Sequence, residues 1–188
     1  MRNTPRRFFL WGLGLLAFLS AICFFFLGTP TPMDTRFGFT WSGPYARQLG
    51  LDSQKGLEEA LDDLQPDHVR IPAYWIEIEK ERGTYDFSEL DAQLDAAASR
   101  GIGITLVLGS RVPRWPECWE PEWVHDLDPV DRYDVQLAYT KAVYMRYQEH
   151  PSIIAWQVEN EAFFDFYTAC PGLTRRIVLD EMRFVRGE

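Results

Sequence analysis

The amino-acid sequence predicts an α/β domain built on a parallel sheet, set behind one membrane-crossing helix. Three observations carry that prediction. Short aromatic and β-branched runs alternate with amphipathic helical stretches from residue 37 onward, and this alternation forces parallel pairing through right-handed crossovers. The run Ile102 to Gly109 (IGITLVLG) is almost continuously apolar, as a strand covered on both faces must be. Phe8 to Leu27 holds 20 residues without a charge, enough at about 1.5 Å per residue to cross a hydrocarbon core of about 30 Å.

The whole chain has 188 residues, 46% of them hydrophobic, with three cysteines. That allows one domain of ordinary size with a real core, and three cysteines cannot frame a small disulfide-stapled fold. Arg2, Arg6 and Arg7 are the only charges among the first 33 residues, which leaves 16 basic and 28 acidic groups in the remainder, a net of −12. Such a surface repels phosphate backbones, so nucleic-acid binding is excluded.

The three arginines lie before the apolar run, and Gly28 to Pro32 after it carries no charge. The positive-inside bias therefore puts the N-terminus in the cytoplasm and the domain on the extracytoplasmic side. The rival reading is a cleaved signal peptide. The apolar run exceeds the usual 7 to 15 residues and no A-x-A site follows it, which favours an uncleaved anchor. Residues 1–33 are thus read as anchor and tether, residues 34–188 as the domain, and Cys23 as a lipid-facing residue of the anchor.

Strand one is Phe37 to Trp41, closed by the turn at Gly43-Pro44. Ser53 can cap a helix with Leu57, Leu61 and Leu64 on its apolar face, ended by Pro66. HVRIP (68–72) is strand two, with a long connection through Trp75 and Gly83. Ser88 with Asp91 forms a capping box for a helix carrying Leu90, Leu94 and Ala97, and Gly101 is its C′ residue. Strand three is IGITLVLG. After a loop rich in Trp and Pro, Val135, Ala138, Ala142 and Met145 define a third helical face, which stops at His150-Pro151. Strand four is Ile153 to Glu159, and Ile177, Val178, Met182 and Val185 mark a last helix.

Four βα units leave two architectures, a doubly wound sheet or a (β/α)₈ barrel. No G-x-G-x-x-G or P-loop pattern follows a strand, and the loops after strands two, three and four are rich in Trp, Tyr, Pro, Arg and Glu. Loops of that kind at strand C-termini are where barrels build their chemistry. At the end of strand four stands Trp156-Gln157-Val158-Glu159-Asn160-Glu161. Alternation puts Gln157, Glu159 and Glu161 on one face, and a carboxyl at 159 against an apolar wall has a raised pKa, as a general acid needs. The plain alternative is a strand end turning into a solvated loop.

WQVENE preceded by HPSIIA, the segment YWIEIEKERGTYDFSELDAQLDAAASRGI and the loop VPRWPECWEP together resemble the first half of a clan A glycoside hydrolase, the (β/α)₈ TIM-barrel group that includes cellulases and β-galactosidases. The resemblance implies a barrel truncated to about its first four βα units. It implies Glu161 as the acid/base, Asn160 as a hydrogen-bond partner of the sugar, and Arg70 as an active-site arginine that orients the nucleophile. Retaining hydrolysis needs a second carboxyl. In the clan this is a Glu ending strand seven, so the expectation is a fragment lacking its nucleophile, with open edges that take the missing half of the barrel or self-associate. The alternative is a non-catalytic membrane-anchored carbohydrate-binding or scaffold protein.

Sugar rings pack on aromatic faces, which makes Trp41, Trp75, Trp115, Trp119 and Phe163 the candidate subsite platforms, with Trp123, Phe164 and Tyr167 beside them. His125, Asp126 and Asp128 lack metal-ligand spacing and read as a loop and helix cap, so no metal and no cofactor is expected. Glu77, Glu79, Lys80 and Glu81 read as a solvated charged loop. Cys118 and Cys170 follow adjacent strands of the presumed barrel, so their Cα atoms can come within disulfide range; two unpaired thiols are the alternative.

Overall fold

The computed structural model describes residues 15–20, 35–164 and 173–188. The chain divides into two compact units, 1–35 and 36–188. In the first, residues 15–20 are helical and exposed. The predicted span 8–27 otherwise lies outside the described residues, as does Cys23. Among the described residues no helix is long and apolar enough to cross a membrane.

The second unit is built around four strands: β1 (Gly38–Thr40), β2 (His68–Pro72), β3 (Gly103–Leu108) and β4 (Ile153–Val158). All pair in parallel in the order β1-β2-β3-β4. Sequential order without a reversal point is how a barrel is laid down, whereas a doubly wound sheet reverses. The helices are α1 (Gly43–Gln48), α2 (Ser53–Leu64), α3 (Trp75–Ile78), α4 (Ser88–Ala98), α5 (Pro129–Tyr147) and α6 (Arg175–Arg186). One core unites Val69, Ile71, Ile104, Leu106 and Leu108 of the strands with Leu57 and Leu61 of α2, Leu94 and Ala97 of α4, and Tyr139 and Val143 of α5. These alternate strand residues face the helices, and His68, Arg70 and Val107 occupy the opposite face. That opposite face is tightly lined at its base, since a Cβ at Gly38 would lie 2.4 Å from the His68 ring.

Several local expectations are corrected. Asp52, not Ser53, caps α2, its carboxylate accepting from Lys55 N at 2.8 Å. Ser53 Oγ donates instead to Glu89. The predicted capping box at Ser88 does not form: Phe87 stands at the cap, and Asp91 binds Arg146 and Tyr147. The turn at Gly43-Pro44 opens a short helix, α1, because Ser42 accepts from Tyr45 N and Pro44 sits in its first turn. Glu79 is buried rather than solvated, accepting from Trp75 Nε1 at 2.6 Å and Gly83 N at 2.7 Å.

The apolar face assigned to the third helix is also displaced. In α5 the buried stripe is Gln136, Tyr139, Thr140, Val143 and Tyr147, while Ala138 and Met145 are exposed. Polar Gln136 and Thr140 are drawn inward by buried carboxylates, which apolar periodicity cannot register. In α6, Glu181 is buried and Met182 is exposed. Val143→Ala should therefore destabilise the domain by about 2 kcal/mol, while Met145→Ala should stay within about 0.5 kcal/mol. Equilibrium urea unfolding of the two variants checks this, and a larger loss at Met145 would restore the face read from the sequence.

Candidate active site

The C-terminal ends of β2, β3 and β4 converge on one cluster. Arg70 extends from β2 on the face away from the helices, and its Nη2 donates to Asn160 Oδ1 at 2.7 Å. Gln157 Nε2 also donates to Asn160 Oδ1 at 3.3 Å, and Asn160 Nδ2 donates to Glu117 Oε1 at 3.3 Å. These contacts fix which side of the Asn160 amide carries the oxygen. Burial pulls Arg70 down from its ordinary pKa, yet a guanidinium remains charged.

Asn160 shares this cluster with Gln157, which overturns the alternation expected at the strand end. The ladder stops at Val158, and both Glu159 (φ 58°) and Glu161 (φ 49°) take the left-handed conformation. Glu159 consequently turns out of the mouth into the layer beneath α5 and α6. Its carboxylate accepts from Ser110 N at 3.0 Å, Arg111 N at 2.7 Å and Gln136 Nε2 at 2.9 Å. Gly109, at φ 113°, leaves room for it, because a Cβ there would lie 2.3 Å from the Glu159 carboxyl. Burial pushes Glu159 well up, and the neighbouring Glu181 carboxyl adds to the shift. Glu181, which accepts from Thr140 Oγ1 and Gln136 Nε2, is raised by burial to about 7. The raised pKa expected at Glu159 is present, but it belongs to a buried structural pair and not to a group facing substrate.

Glu161 is exposed at the mouth. The segment that carries it is fastened by Arg111, whose side chain is wholly buried. Nη1 and Nη2 donate to Ala162 O at 3.3 Å and Phe164 O at 2.6 Å, while Asn160 N donates to Arg111 O at 2.7 Å. Glu117 lies beside the same segment, with Oε2 3.9 Å from Arg111 Nη2. Burial, and next the charge of Glu161, raise its pKa against the pull of Arg111 and Arg70. Arg111, Glu117, Gln136 and Glu181 escaped the sequence reading. The available signal was a glutamine and a threonine interrupting the α5 core stripe, which implies a buried polar partner.

The aromatic candidates separate by exposure. Trp75 is fully buried and stacked on Tyr139 with ring centroids 5.0 Å apart, and Trp119 is buried edge-on against Tyr74. Neither presents a free face to a sugar, so both are withdrawn as platforms. Trp75 opens α3 and joins the main core, while Trp119 packs with Tyr74, Val107 and Val112 in a smaller cluster. The half-buried Trp41 lies against Gly56 of α2. Trp115, Phe163 and Phe164 are exposed, Trp123 donates to Glu79 O, and Tyr167 lies outside the described residues. Asp128 caps α5 by accepting from Val130 N and Asp131 N. Cys118 is disulfide-bonded; Cys170 lies outside the described residues.

The family model described as Glycosyl hydrolase family 10 matches residues 72–179, more than half of the chain. The β-galactosidase LacZ of Heyndrickxia coagulans is 28% identical over 107 residues, covering 46% of this chain and 16% of that protein. Among solved structures, a glycosylated endo-β-1,4-xylanase of family GH10 from Gloeophyllum trabeum aligns with a TM-score of 0.59 at 22% identity, over 82% of this chain and 48% of that one. A GH5_18 protein of Streptomyces cattleya, crystallised with GlcNAc, aligns with a TM-score of 0.59 at 21% identity, over 80% of this chain and 42% of that one. At such identities the structures show the fold alone: parallel α/β, like part of the barrels of these glycosidases. The chain spans less than half the length of each of these three proteins.

The Glu159–Glu181 pair sets a pH dependence of stability. Both carboxyls hold a proton more tightly folded than unfolded, so the unfolded chain ionises first as pH rises and stability falls. The stability present below about pH 4.5 is lost as pH rises through about 7, the raised value of Glu181. In Glu181→Gln the fall between pH 5 and pH 8 should shrink, as read by denaturant titrations across that range. An unchanged slope would remove the pair as its origin.

Proposed function

The chain belongs to glycosyl hydrolase family 10, and from that premise we propose that it hydrolyses the O-glycosidic bonds of a poly- or oligosaccharide by a retaining two-carboxylate route, with Glu161 as acid/base. The observation that carries this reading is the 2.7 Å bond from Arg70 to Asn160, which gathers the ends of β2 and β4 beside the exposed Glu161. Glu161 gives its proton to the leaving oxygen as the bond to the anomeric carbon breaks and a nucleophilic carboxylate attaches to that carbon. Glu161 then takes a proton from water, whose oxygen displaces the carboxylate and frees the sugar. Asn160 hydrogen-bonds the sugar hydroxyl beside the reacting carbon, and Arg70 orients the nucleophile.

The nucleophile stands about 5 to 5.5 Å from the acid/base in such enzymes, and the proposal assigns it to a strand beyond the four described. Glu117 is instead held within the cluster, its Oε1 accepting from Asn160 Nδ2 at 3.3 Å. Exposed Trp115 and Phe163 serve as sugar platforms. The proposal also ties residues 8–27 to a membrane with the domain outside the cytoplasm, and pairs Cys118 with Cys170. The preceding arginines, and the disulfide at Cys118, which needs an oxidising compartment, support the first part; that Cys118 is bonded at all supports the second.

When the chain is complemented by a half-barrel supplying strands five to eight, Glu161→Gln should reduce hydrolysis of an unactivated glycoside by about 10²- to 10⁴-fold. An aryl glycoside with a good leaving group should suffer far less. Equal losses on both would take the acid/base role from Glu161. Protease added to spheroplasts should digest residues 36–188 while the N-terminus stays protected; full protection of the domain would contradict its placement outside.

A further inference from the structure

A second concavity lies at the end of β1, with no place in the chemistry above. It is a pocket of about 220 Å³ walled by Trp41, Ser42, Tyr45, Leu49, Leu51 and Arg114. No acidic residue lines it, although residues 34–188 carry a net charge of −12. Arg114 is its only charged group. The guanidinium carbon sits 3.8 Å from the centroid of the Tyr45 ring, so the cation covers an aromatic face and its N–H edges remain in plane.

The other arginines near the strand ends each place a terminal nitrogen on a protein acceptor, although Arg70 Nε and Arg111 Nε take no hydrogen-bond partner. Arg47 pairs with Glu77 and Glu89, Arg70 binds Asn160, and Arg111 binds two carbonyls. Among the described residues, no hydrogen bond or ion pair takes the Arg114 guanidinium. Its backbone is nevertheless tightly fixed at φ 92°, with its carbonyl accepting from Glu117 N at 2.7 Å and Trp119 Nε1 at 3.1 Å. Tyr74 Oη, 2.7 Å from Ser42 Oγ and 3.0 Å from Pro113 O, ties the two sides of the pocket together. A fixed fork of donors beside aromatic rings matches a ligand that carries a carboxylate on a ring with a C–H face to lay against them.

We infer that this pocket is a subsite for a sugar ring bearing a carboxylate, a uronic acid, with Arg114 taking the carboxylate and Tyr45 and Trp41 flanking the ring. The inference deepens the glycosidase reading and rests on it for the substrate class. Calorimetric titration of the full chain compares methyl β-D-glucuronide, methyl β-D-glucoside and sodium acetate. The glucuronide should bind about tenfold tighter than the glucoside, the gain of one charge-assisted contact. Arg114→Gln should abolish that preference and Arg114→Lys retain part of it, both with unchanged circular dichroism. Equal binding of the two glycosides, survival of the preference in Arg114→Gln, or acetate binding as tightly as the glucuronide would each overturn the subsite. The titration reads no hydrolysis, so the two readings fail separately. Glu161-dependent turnover without glucuronide preference sinks only this inference, and the preference without such turnover sinks only the catalytic one.

Discussion

When neighbouring strands end and their loops diverge, the backbone N–H groups that follow the last ladder bond have no partner. Behind the mouth of this domain those groups belong to Ser110 and Arg111, and the Glu159 carboxylate accepts both. The same carboxylate holds Gln136 of α5, so one side chain joins the end of β3, the end of β4 and the helix layer. The adjoining main-chain bonds, Glu159 N to Leu108 O and Asn160 N to Arg111 O, continue the junction outward. The positions of Asn160 and Glu161 depend on it. Burying a carboxyl is costly unless its lone pairs are taken, and here they are.

From this junction the mouth is organised by charge. Arg111 leaves the same turn and clamps the carbonyls of Ala162 and Phe164 from within the core. Arg70 reaches Asn160 from the other side. Two buried or half-buried cations thus bear on Glu117, whose proton affinity burial and the nearby Glu161 raise against their pull. Loops at the ends of barrel strands can vary because such fastenings, rather than the ladder, hold them.

The frame of the domain was legible in the sequence because it follows from periodicity. The strands HVRIP, IGITLVLG and IIAWQV sit where aromatic and β-branched runs placed them, and Leu57, Leu61, Leu90 and Leu94 face the core. What was not legible is what polar burial decides. Gln136, Thr140 and Glu181 turned α5 and α6 away from the faces that Ala138, Met145 and Met182 suggested, and a positive φ at Glu159 cancelled the alternation that a longer β4 would have kept. Trp75 and Trp119 count as aromatic in any loop; only packing distinguishes a ring under a loop from a ring on it.

Gly109 and Glu159 constrain one another. A methyl group at 109 would strike the carboxyl at 159, and losing that carboxyl would leave two buried N–H groups without an acceptor. A change at either position alone therefore weakens the same junction, and the two act as one structural unit. Residues 50 apart in the chain thus share one constraint, and a glycine with no chemistry of its own is as hard to replace as the acid it accommodates.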